Sequence, residues 1–178
     1  MKDLSLSVLD IAMNSVKAKA SLIEITLAND GKTLSVRIAD NGCGMDADFL
    51  ARVTDPFTTT RDTRRVGMGI PLFKLAAEQA GGTFAITSEP GRGTDLMAAF
   101  AVDHMDRPPL GDMAATVATL IQGSPDIDFV YRHTAPCGEA SLDTRELRQA
   151  LDGVPLNEPE VLQWIQENLD EEERMIAL

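Results

Sequence analysis

The 178-residue sequence has few cysteines and no long apolar run, and both shortages narrow the class of protein. The only two cysteines, Cys43 and Cys137, lie in unrelated contexts, so we expect a reducing, cytoplasmic location rather than a disulfide-stabilised fold. The longest wholly apolar run, residues 96–102, is far shorter than the roughly 20 residues that span a bilayer. The first residues lack a cationic stretch before an apolar one, so we expect no signal peptide.

Two common nucleotide-binding motifs are also missing. No GxxxxGK followed by Ser or Thr occurs, which excludes a P-loop, and no GxGxxG joins a strand to a helix, which argues against a dinucleotide fold. Basic side chains are scarce as well, with 16 against 28 acidic ones and a net charge of -12. This balance disfavours binding to nucleic acid or to an anionic membrane surface.

The acidic side chains are concentrated in the last part of the chain. Residues 1–100 have a net charge of -1, and residues 101–178 have a net charge of -11. A stiff Arg-Pro-Pro connector at 107–109 follows the change in charge. We therefore predict one domain at 1–102 and a small acidic α+β region of unknown role at 103–178.

Hydrophobic periodicity predicts helices and strands in a mixed order. Helical spacing predicts helices at 5–19, 46–53, 70–80, 110–122, 144–151 and 158–178. Alternation of apolar and polar residues predicts strands at 22–28, 34–39, 83–88, 94–102, 127–133 and 139–143. The Asn-Asp-Gly-Lys link at 29–32 predicts a hairpin between the first two strands.

Four short motifs follow one another within the first domain. Asp10 and Asn14 lie four residues apart in the first helix, so their side chains share a face, and Lys17 follows on the same side. The other three motifs are glycine pairs: Asp40-x-Gly42-x-Gly44-Met45, Gly67-Met68-Gly69-Ile70 and Gly91-Arg92-Gly93-Thr94. Each motif alone is typical of a polar helix surface or a turn, but together and in this order they favour a nucleotide site.

The side chains of the first helix suit a metal–polyphosphate ligand. Asn14 offers a neutral amide oxygen, which can ligate Mg²⁺ while the ion keeps waters and phosphate oxygens. Asp10, one turn earlier, can accept a proton from an attacking water or hydroxyl. Lys17 can meet a phosphate as a point charge.

The glycine motifs suit the two ends of a nucleotide. The Asp40 carboxylate can accept a hydrogen bond from the adenine amino group, whereas guanine would present an oxygen there, so we predict a preference for ATP over GTP. Gly67 and Gly69 can expose backbone N–H groups to phosphates at a helix start. The threonine- and arginine-rich loop at 54–66 suits a lid over the γ-phosphate, with Arg61 as the candidate for stabilising transition-state charge.

The order of these motifs resembles the GHKL superfamily, which includes gyrase-type ATPases, heat-shock chaperones, histidine kinases and mismatch-repair ATPases. The resemblance covers residues 1–102 and is closest to histidine-kinase-like domains, because residues 55–61 also resemble their F box. It implies catalytic roles for Asp10 and Arg61. It implies ATP-binding roles for Asn14, Lys17, Asp40, Gly42, Gly44, Met45, Thr58, Thr59, Gly67, Met68, Gly69, Ile70 and Thr94, with Asn14 also the Mg²⁺ ligand.

The resemblance also implies a fold and a function. The fold is a Bergerat-type α/β (α+β) two-layer sandwich, with helices on one face of a mixed sheet and a small C-terminal α+β appendage. The function is that of a Mg-ATP-binding regulatory kinase or ATPase subunit that stands alone and acts on a partner protein, with a homodimer as a further option. The alternative is a non-catalytic adenine-nucleotide sensor or an ATP-gated dimerisation or assembly factor.

One motif after the first domain partly resembles the phosphoacceptor box of histidine kinases. It begins at His104 and keeps Arg107, Pro108 and Leu110 at matching offsets. It follows the ATP domain instead of preceding it, Met105 replaces the usual acidic neighbour, and tandem prolines do not suit the helix that such a box needs. We therefore expect a linker there.

Overall fold

The computed structural model describes residues 3–55 and 68–177, and these ranges contain six helices and six strands. The helices are α1 (Leu4–Lys17), α2 (Ala47–Val53), α3 (Gly69–Gln79), α4 (Met113–Gly123), α5 (Thr144–Leu151) and α6 (Pro159–Ile176). The strands are β1 (Leu22–Asn29), β2 (Thr33–Asp40), β3 (Phe84–Glu89), β4 (Gly93–Ala101), β5 (Asp128–Ala135) and β6 (Gly138–Asp143). Every predicted element is present, with ends displaced by a few residues.

All six strands form one mixed sheet in the order β3-β4-β2-β1-β5-β6. The β1–β5 pair is parallel and the other pairs are antiparallel. Side chains of a strand alternate between the two faces, and in β1 the alternate residues Ile23, Ile25 and Leu27 are buried while their neighbours are half-buried. The sheet therefore packs one face against helices, which confirms the predicted α/β fold.

Helix α1 lies at the centre of the helical layer and presents the first motif. Asp3 caps its start, because Asp3 Oδ1 accepts a hydrogen bond of 2.9 Å from the Leu6 backbone N–H. Its apolar face buries Val8 and Ile11, and the helix packs against both α3 and α4. Asn14 follows Ile11 by three residues, so it lies beside this apolar face at the edge of the helix.

The C-terminal region adds its strands to the same sheet. Phe129 and Tyr131 of β5 are buried beside Ile23 and Ile25 of β1, and α4 packs on both α1 and α6. The apolar residues of both regions form one continuous core. The division of the chain at 102/103 into two functional regions stays a prediction.

None of the helices in residues 3–55 and 68–177 is long and apolar enough to cross a membrane.

Candidate nucleotide site

A cleft of about 200 Å³ opens between α1, the end of β2, α2 and the start of α3. Its walls include seven of the predicted site residues, namely Asn14, Lys17, Asp40, Gly44, Met45, Ile70 and Thr94. The rest of the lining is mainly apolar and includes Ile11, Ile38, Phe49 and Leu96. Four motifs that are separated in the sequence thus converge on one apolar cleft that holds a small number of polar groups, as ligand sites do.

The Asp40 carboxylate is held in place on both oxygens. Its Oδ2 accepts a hydrogen bond of 2.6 Å from the Ser15 hydroxyl, and its Oδ1 accepts one of 2.8 Å from the Gly42 backbone N–H. Asp40 is the last residue of β2 and pairs with Thr94 of β4. Since a carboxylate has about four lone-pair sites, an oriented acceptor remains for a further donor in the cleft.

A short chain of hydroxyl groups lies on β3 and β4 next to the first glycine motif. The Ser88 hydroxyl lies 2.9 Å from that of Thr94 and accepts a hydrogen bond of 2.8 Å from the Met45 backbone N–H. It also donates to the Gly93 carbonyl at 2.9 Å. Ser88 thereby ties the first glycine motif to the third.

The first glycine motif lies against backbone on two sides. Gly44 has a positive φ of 70°, and a Cβ on this residue would lie 1.9 Å from the Glu89 carbonyl oxygen. A Cβ on Gly42 would lie 2.8 Å from the Ala18 carbonyl oxygen. Both glycines are therefore required by a close approach of backbone, which clamps the motif between the end of α1 and the β3–β4 turn.

Of the two acidic and amide residues of the first motif, Asn14 lines the cleft and Asp10 is not among the lining residues. Asn14 is half-buried, and in the described part of the chain its side-chain amide has no hydrogen-bond partner. Asp10 is exposed, and a Cβ placed on Gly69 would lie 3.4 Å from the Asp10 Cβ. The first motif and the start of α3 are thus neighbours in the fold.

No group of three or more His, Cys, Asp or Glu side chains suited to a metal is found within residues 3–55 and 68–177. Mg²⁺ on a nucleotide takes one or two protein ligands and fills its remaining positions with phosphate oxygens and water, so the predicted site does not need such a group. The unpartnered amide of Asn14 fits that requirement.

Several predicted residues cannot be placed. Thr58, Thr59, Arg61 and Gly67 lie outside the described residues, so their roles stay predictions. Met68 is exposed as the residue that precedes α3. Sequence reasoning missed Ser15 and Ser88, although the position of Ser15 next to Asn14 in the helical pattern was a usable signal.

His104 lies far from the cleft. The motif that begins there contains turns and no helix, and it follows the end of β4, whereas Thr94 stands at the strand's beginning. At about 3.3 Å per residue, the length of β4 separates the two by more than about 20 Å. The structure therefore does not bring His104 next to the cleft.

Curated relatives of this chain include sensor kinases, and the chain spans less than a quarter of the length of the two relatives described here. A protein of Shewanella frigidimarina described as a sensor protein is 36% identical over 86 residues, which are 48% of this chain and 13% of the relative. The sensor histidine kinase ZraS of Escherichia coli is 27% identical over 105 residues, which are 58% of this chain and 22% of the relative.

Solved structures share the fold at low sequence identity. The MutL ATPase domain of Aquifex aeolicus, complexed with ADP, has a TM-score of 0.53 and 12% identity over 85% of this chain and 70% of that one. The N-terminal domain of a DNA repair protein has a TM-score of 0.52 and 16% identity over 80% and 52%.

The part of the sequence that carries the motifs also matches a protein family. The family described as histidine kinase-, DNA gyrase B-, and HSP90-like ATPase matches residues 2–104, which is more than half of the chain and contains every motif that lines the cleft. The chain therefore belongs to this ATPase family, and its domain is of the histidine-kinase type.

Proposed function

We propose that the cleft binds a magnesium–ATP complex and that the chain uses it to phosphorylate or regulate a partner protein. The observation that carries this proposal is the Asp40 carboxylate, which is oriented by Ser15 and Gly42 in a cleft with otherwise mostly apolar walls. A cleft of about 200 Å³ is smaller than the roughly 300–1,000 Å³ of whole-ligand sites, which suits a base in the cleft and phosphates outside it.

The oriented carboxylate supports a choice between bases. It accepts a hydrogen bond from the exocyclic amino group of adenine, while the flat walls formed by Ile38, Met45 and Leu96 cover apolar ring surface. Guanine would place an oxygen against the carboxylate and leave two acceptors facing each other. This mismatch disfavours GTP by roughly 1–3 kcal/mol or more.

The groups at the mouth support the handling of phosphates. Asn14 and Lys17 leave the same side of α1, so the amide can hold Mg²⁺ and the ammonium can meet a phosphate oxygen. Magnesium would neutralise phosphate charge and orient the γ-phosphate. Asp10 stands beside Gly69 at the start of α3, where it can accept a proton from the attacking hydroxyl.

One observation favours the alternative of a sensor without chemistry. Asp10 is exposed, and in the described residues no hydrogen-bond partner fixes its side chain. An unoriented general base gives slow turnover at best. A nucleotide-gated dimerisation or assembly factor would need to bind the nucleotide but would not need an oriented general base.

Calorimetric titration with ATP and GTP tests the binding proposal. We expect ATP to bind at least tenfold more tightly than GTP, and Asp40→Asn to weaken ATP binding at least tenfold. Asp95→Asn is the matched control, because Asp95 neighbours Thr94 but pairs with Arg37 on the half-exposed opposite face of the sheet. Equal ATP affinity in Asp40→Asn and the unchanged chain would refute the base assignment.

Incubation with γ-labelled ATP separates the possible activities. Free labelled phosphate, lost in Asp10→Asn while ATP binding persists, supports hydrolysis. Transfer of label to a protein captured with the chain in the presence of ATP supports a kinase. Tight ATP binding with neither product supports the sensor. The free thiols of Cys43 and Cys137 accord with the cytoplasmic location that we propose for this activity.

A further inference from the structure

A second cavity lies at the opposite end of the sheet from the nucleotide cleft. It has a volume of about 540 Å³ and lies between the start of β2, the connector that follows β4, the β5–β6 turn and the end of α6. Leu34 lines this cavity and Asp40 lines the cleft, so roughly the length of β2, about 20 Å, separates the two sites. The cavity and the nucleotide cleft share no lining residue, so the cavity is not part of the nucleotide site.

A buried histidine presents one ring nitrogen to the cavity. The His133 side chain is 7% exposed, and its Nδ1 lies 2.9 Å from Oε2 of Glu173. The other oxygen, Oε1, accepts a hydrogen bond of 2.5 Å from the Tyr131 hydroxyl. Both oxygens of the Glu173 carboxylate, which also lines the cavity, are therefore engaged. Nε2 has no hydrogen-bond partner among the described residues. Every fully buried side-chain nitrogen in that part of the chain does have a partner, so Nε2 is not fully buried and is open to the cavity.

A guanidinium group lines the same cavity without a carboxylate partner. Arg107 is half-buried, donating from Nε to the Val102 carbonyl at 2.8 Å and from Nη1 to the Pro108 carbonyl at 3.2 Å. No Asp or Glu within residues 3–55 and 68–177 forms an ion pair with it. Nη2 is left to donate, and a half-buried positive charge that lacks a counter-ion favours an anion.

The remaining walls of the cavity are mostly apolar. They include Leu34, Val102, Leu110, Ala135 and Ile176. A ligand that fills this space gains free energy by removing these side chains from water, so it has an apolar body as well as an anionic head.

From these contacts we propose that the cavity binds a small organic acid, one carboxylate on an apolar body. The carboxylate meets the free edge of Arg107, and the apolar body lies along Leu34 and Ile176. The net charge of -11 over residues 101–178 does not prevent this, because exposed charges are screened over about 8 Å at physiological ionic strength. Among the described residues, Glu173 is the one carboxylate that lines the cavity, and its two oxygens are held by Tyr131 and His133. The proposal is independent of the nucleotide site.

Calorimetry with sodium hexanoate on the full chain tests the proposal. We expect hexanoate to bind with a 1:1 stoichiometry and a Kd below about 1 mM, and 1-hexanol and hexylammonium to bind at least tenfold more weakly. Arg107→Gln should weaken hexanoate binding at least tenfold, since a hydrogen bond to a charged group is lost. Arg132→Gln is the matched control, because Arg132 neighbours His133 in β5 but pairs with Glu139 on the opposite face.

A second readout covers the case in which Arg107→Gln fails to fold. Cys137 is exposed and lines the cavity, so hexanoate should slow its alkylation by N-ethylmaleimide in the Cys43→Ser chain, while 1-hexanol should not. Arg107→Lys, which keeps the charge, should retain part of the protection. Equal binding of hexanoate and 1-hexanol, or an unchanged Kd in a folded Arg107→Gln chain, would overturn the proposal.

Discussion

The Ser15 hydroxyl donates a hydrogen bond of 2.6 Å to Oδ2 of Asp40, and this contact joins the first helix to the end of the second strand. Ser15 is buried, with 4% of its surface exposed, so the bond is protected from competing water. It fixes one oxygen of the carboxylate while the Gly42 backbone N–H fixes the other. The direction in which Asp40 presents its remaining lone pairs is therefore set before any ligand arrives.

Replacing Ser15 tests this preorganisation. Ser15→Ala removes a hydrogen bond to a charged group, so we expect a loss of about 1–2 kcal/mol in the free energy of unfolding and a several-fold weaker affinity for ATP. Urea denaturation and calorimetry measure the two effects. Ser35→Ala serves as control, because the Ser35 hydroxyl is half-exposed and makes only a 3.4 Å contact with the Ala28 carbonyl. An ATP affinity that survives Ser15→Ala would show that Asp40 needs no such support.

Substitutions at two glycines with similar backbone angles distinguish the cost of backbone strain from the cost of a steric clash. Gly44 and Gly91 have φ of 70° and 79°, but a Cβ on Gly44 would clash with the Glu89 carbonyl, whereas one on Gly91 has open space around it. We expect Gly91→Ala to lower the free energy of unfolding by roughly 1–2 kcal/mol, the cost of a left-handed L-residue. Gly44→Ala should cost at least about 2 kcal/mol more, because backbone must also move.

Thermal and urea denaturation of both variants measure this difference. Gly44→Ala should also weaken ATP binding, because Gly44 lines the cleft. The carbonyl of the preceding residue, Cys43, accepts a hydrogen bond from the Gly91 backbone N–H. Similar losses of stability in the two variants would mean that the β3–β4 turn yields easily and does not clamp the motif.

The local parts of the fold and site were predictable from the sequence, and the long-range parts were not. Periodicity located the helices and strands, because it depends on residues close together in the chain. That the four separated motifs meet in one cleft was implied by their resemblance to the GHKL superfamily. The parallel pairing of Ile23 with Phe129 joins residues more than a hundred positions apart, and no local pattern encodes such a partner. Ser88 was missed for the same reason, since its hydrogen bond with the Met45 backbone N–H joins residues 43 positions apart.

The cap of the first helix gives a prediction with a defined pH dependence. Asp3 accepts hydrogen bonds from the Ser5 hydroxyl at 2.7 Å and the Leu6 backbone N–H at 2.9 Å, and these bonds hold its pKa below the usual value. Its contribution to stability is therefore present above the unfolded-state pKa of about 3.9 and is lost as the pH falls through the lower folded-state pKa.

Asp3→Ala should lower the free energy of unfolding by about 1 kcal/mol at neutral pH and by less in acid. Asp3→Asn should retain most of the cap without the pH dependence, because Asn accepts the same backbone bond and does not titrate in this range. Urea denaturation near pH 7 and near pH 3 measures all three chains. A constant difference between Asp3→Ala and the unchanged chain at both pH values would contradict this account.

Tyr131 is the chain's single tyrosine, so its ionisation can be followed by absorbance alone. Burial raises the pKa of Tyr131. The negative charge of the neighbouring Glu173 carboxylate, which accepts a hydrogen bond from the Tyr131 hydroxyl, raises this pKa further. The folded protein thus keeps this proton when the unfolded chain, with a tyrosine pKa of about 10, releases it. Stability is retained below about pH 10 and falls as the pH rises above it.

We expect tyrosinate absorbance to appear only together with the loss of helical circular dichroism, and the chain in concentrated urea to titrate near pH 10. Tyr131→Phe removes the ionisable group, so the free energy of unfolding of this variant should decline less steeply above about pH 10. At neutral pH it should be lower than that of the unchanged chain by about 1–3 kcal/mol, because Glu173 loses a hydrogen-bond donor. If tyrosinate formed near pH 10 while the helical signal was intact, the hydroxyl would be open to solvent and the buried network around Glu173 would be wrong.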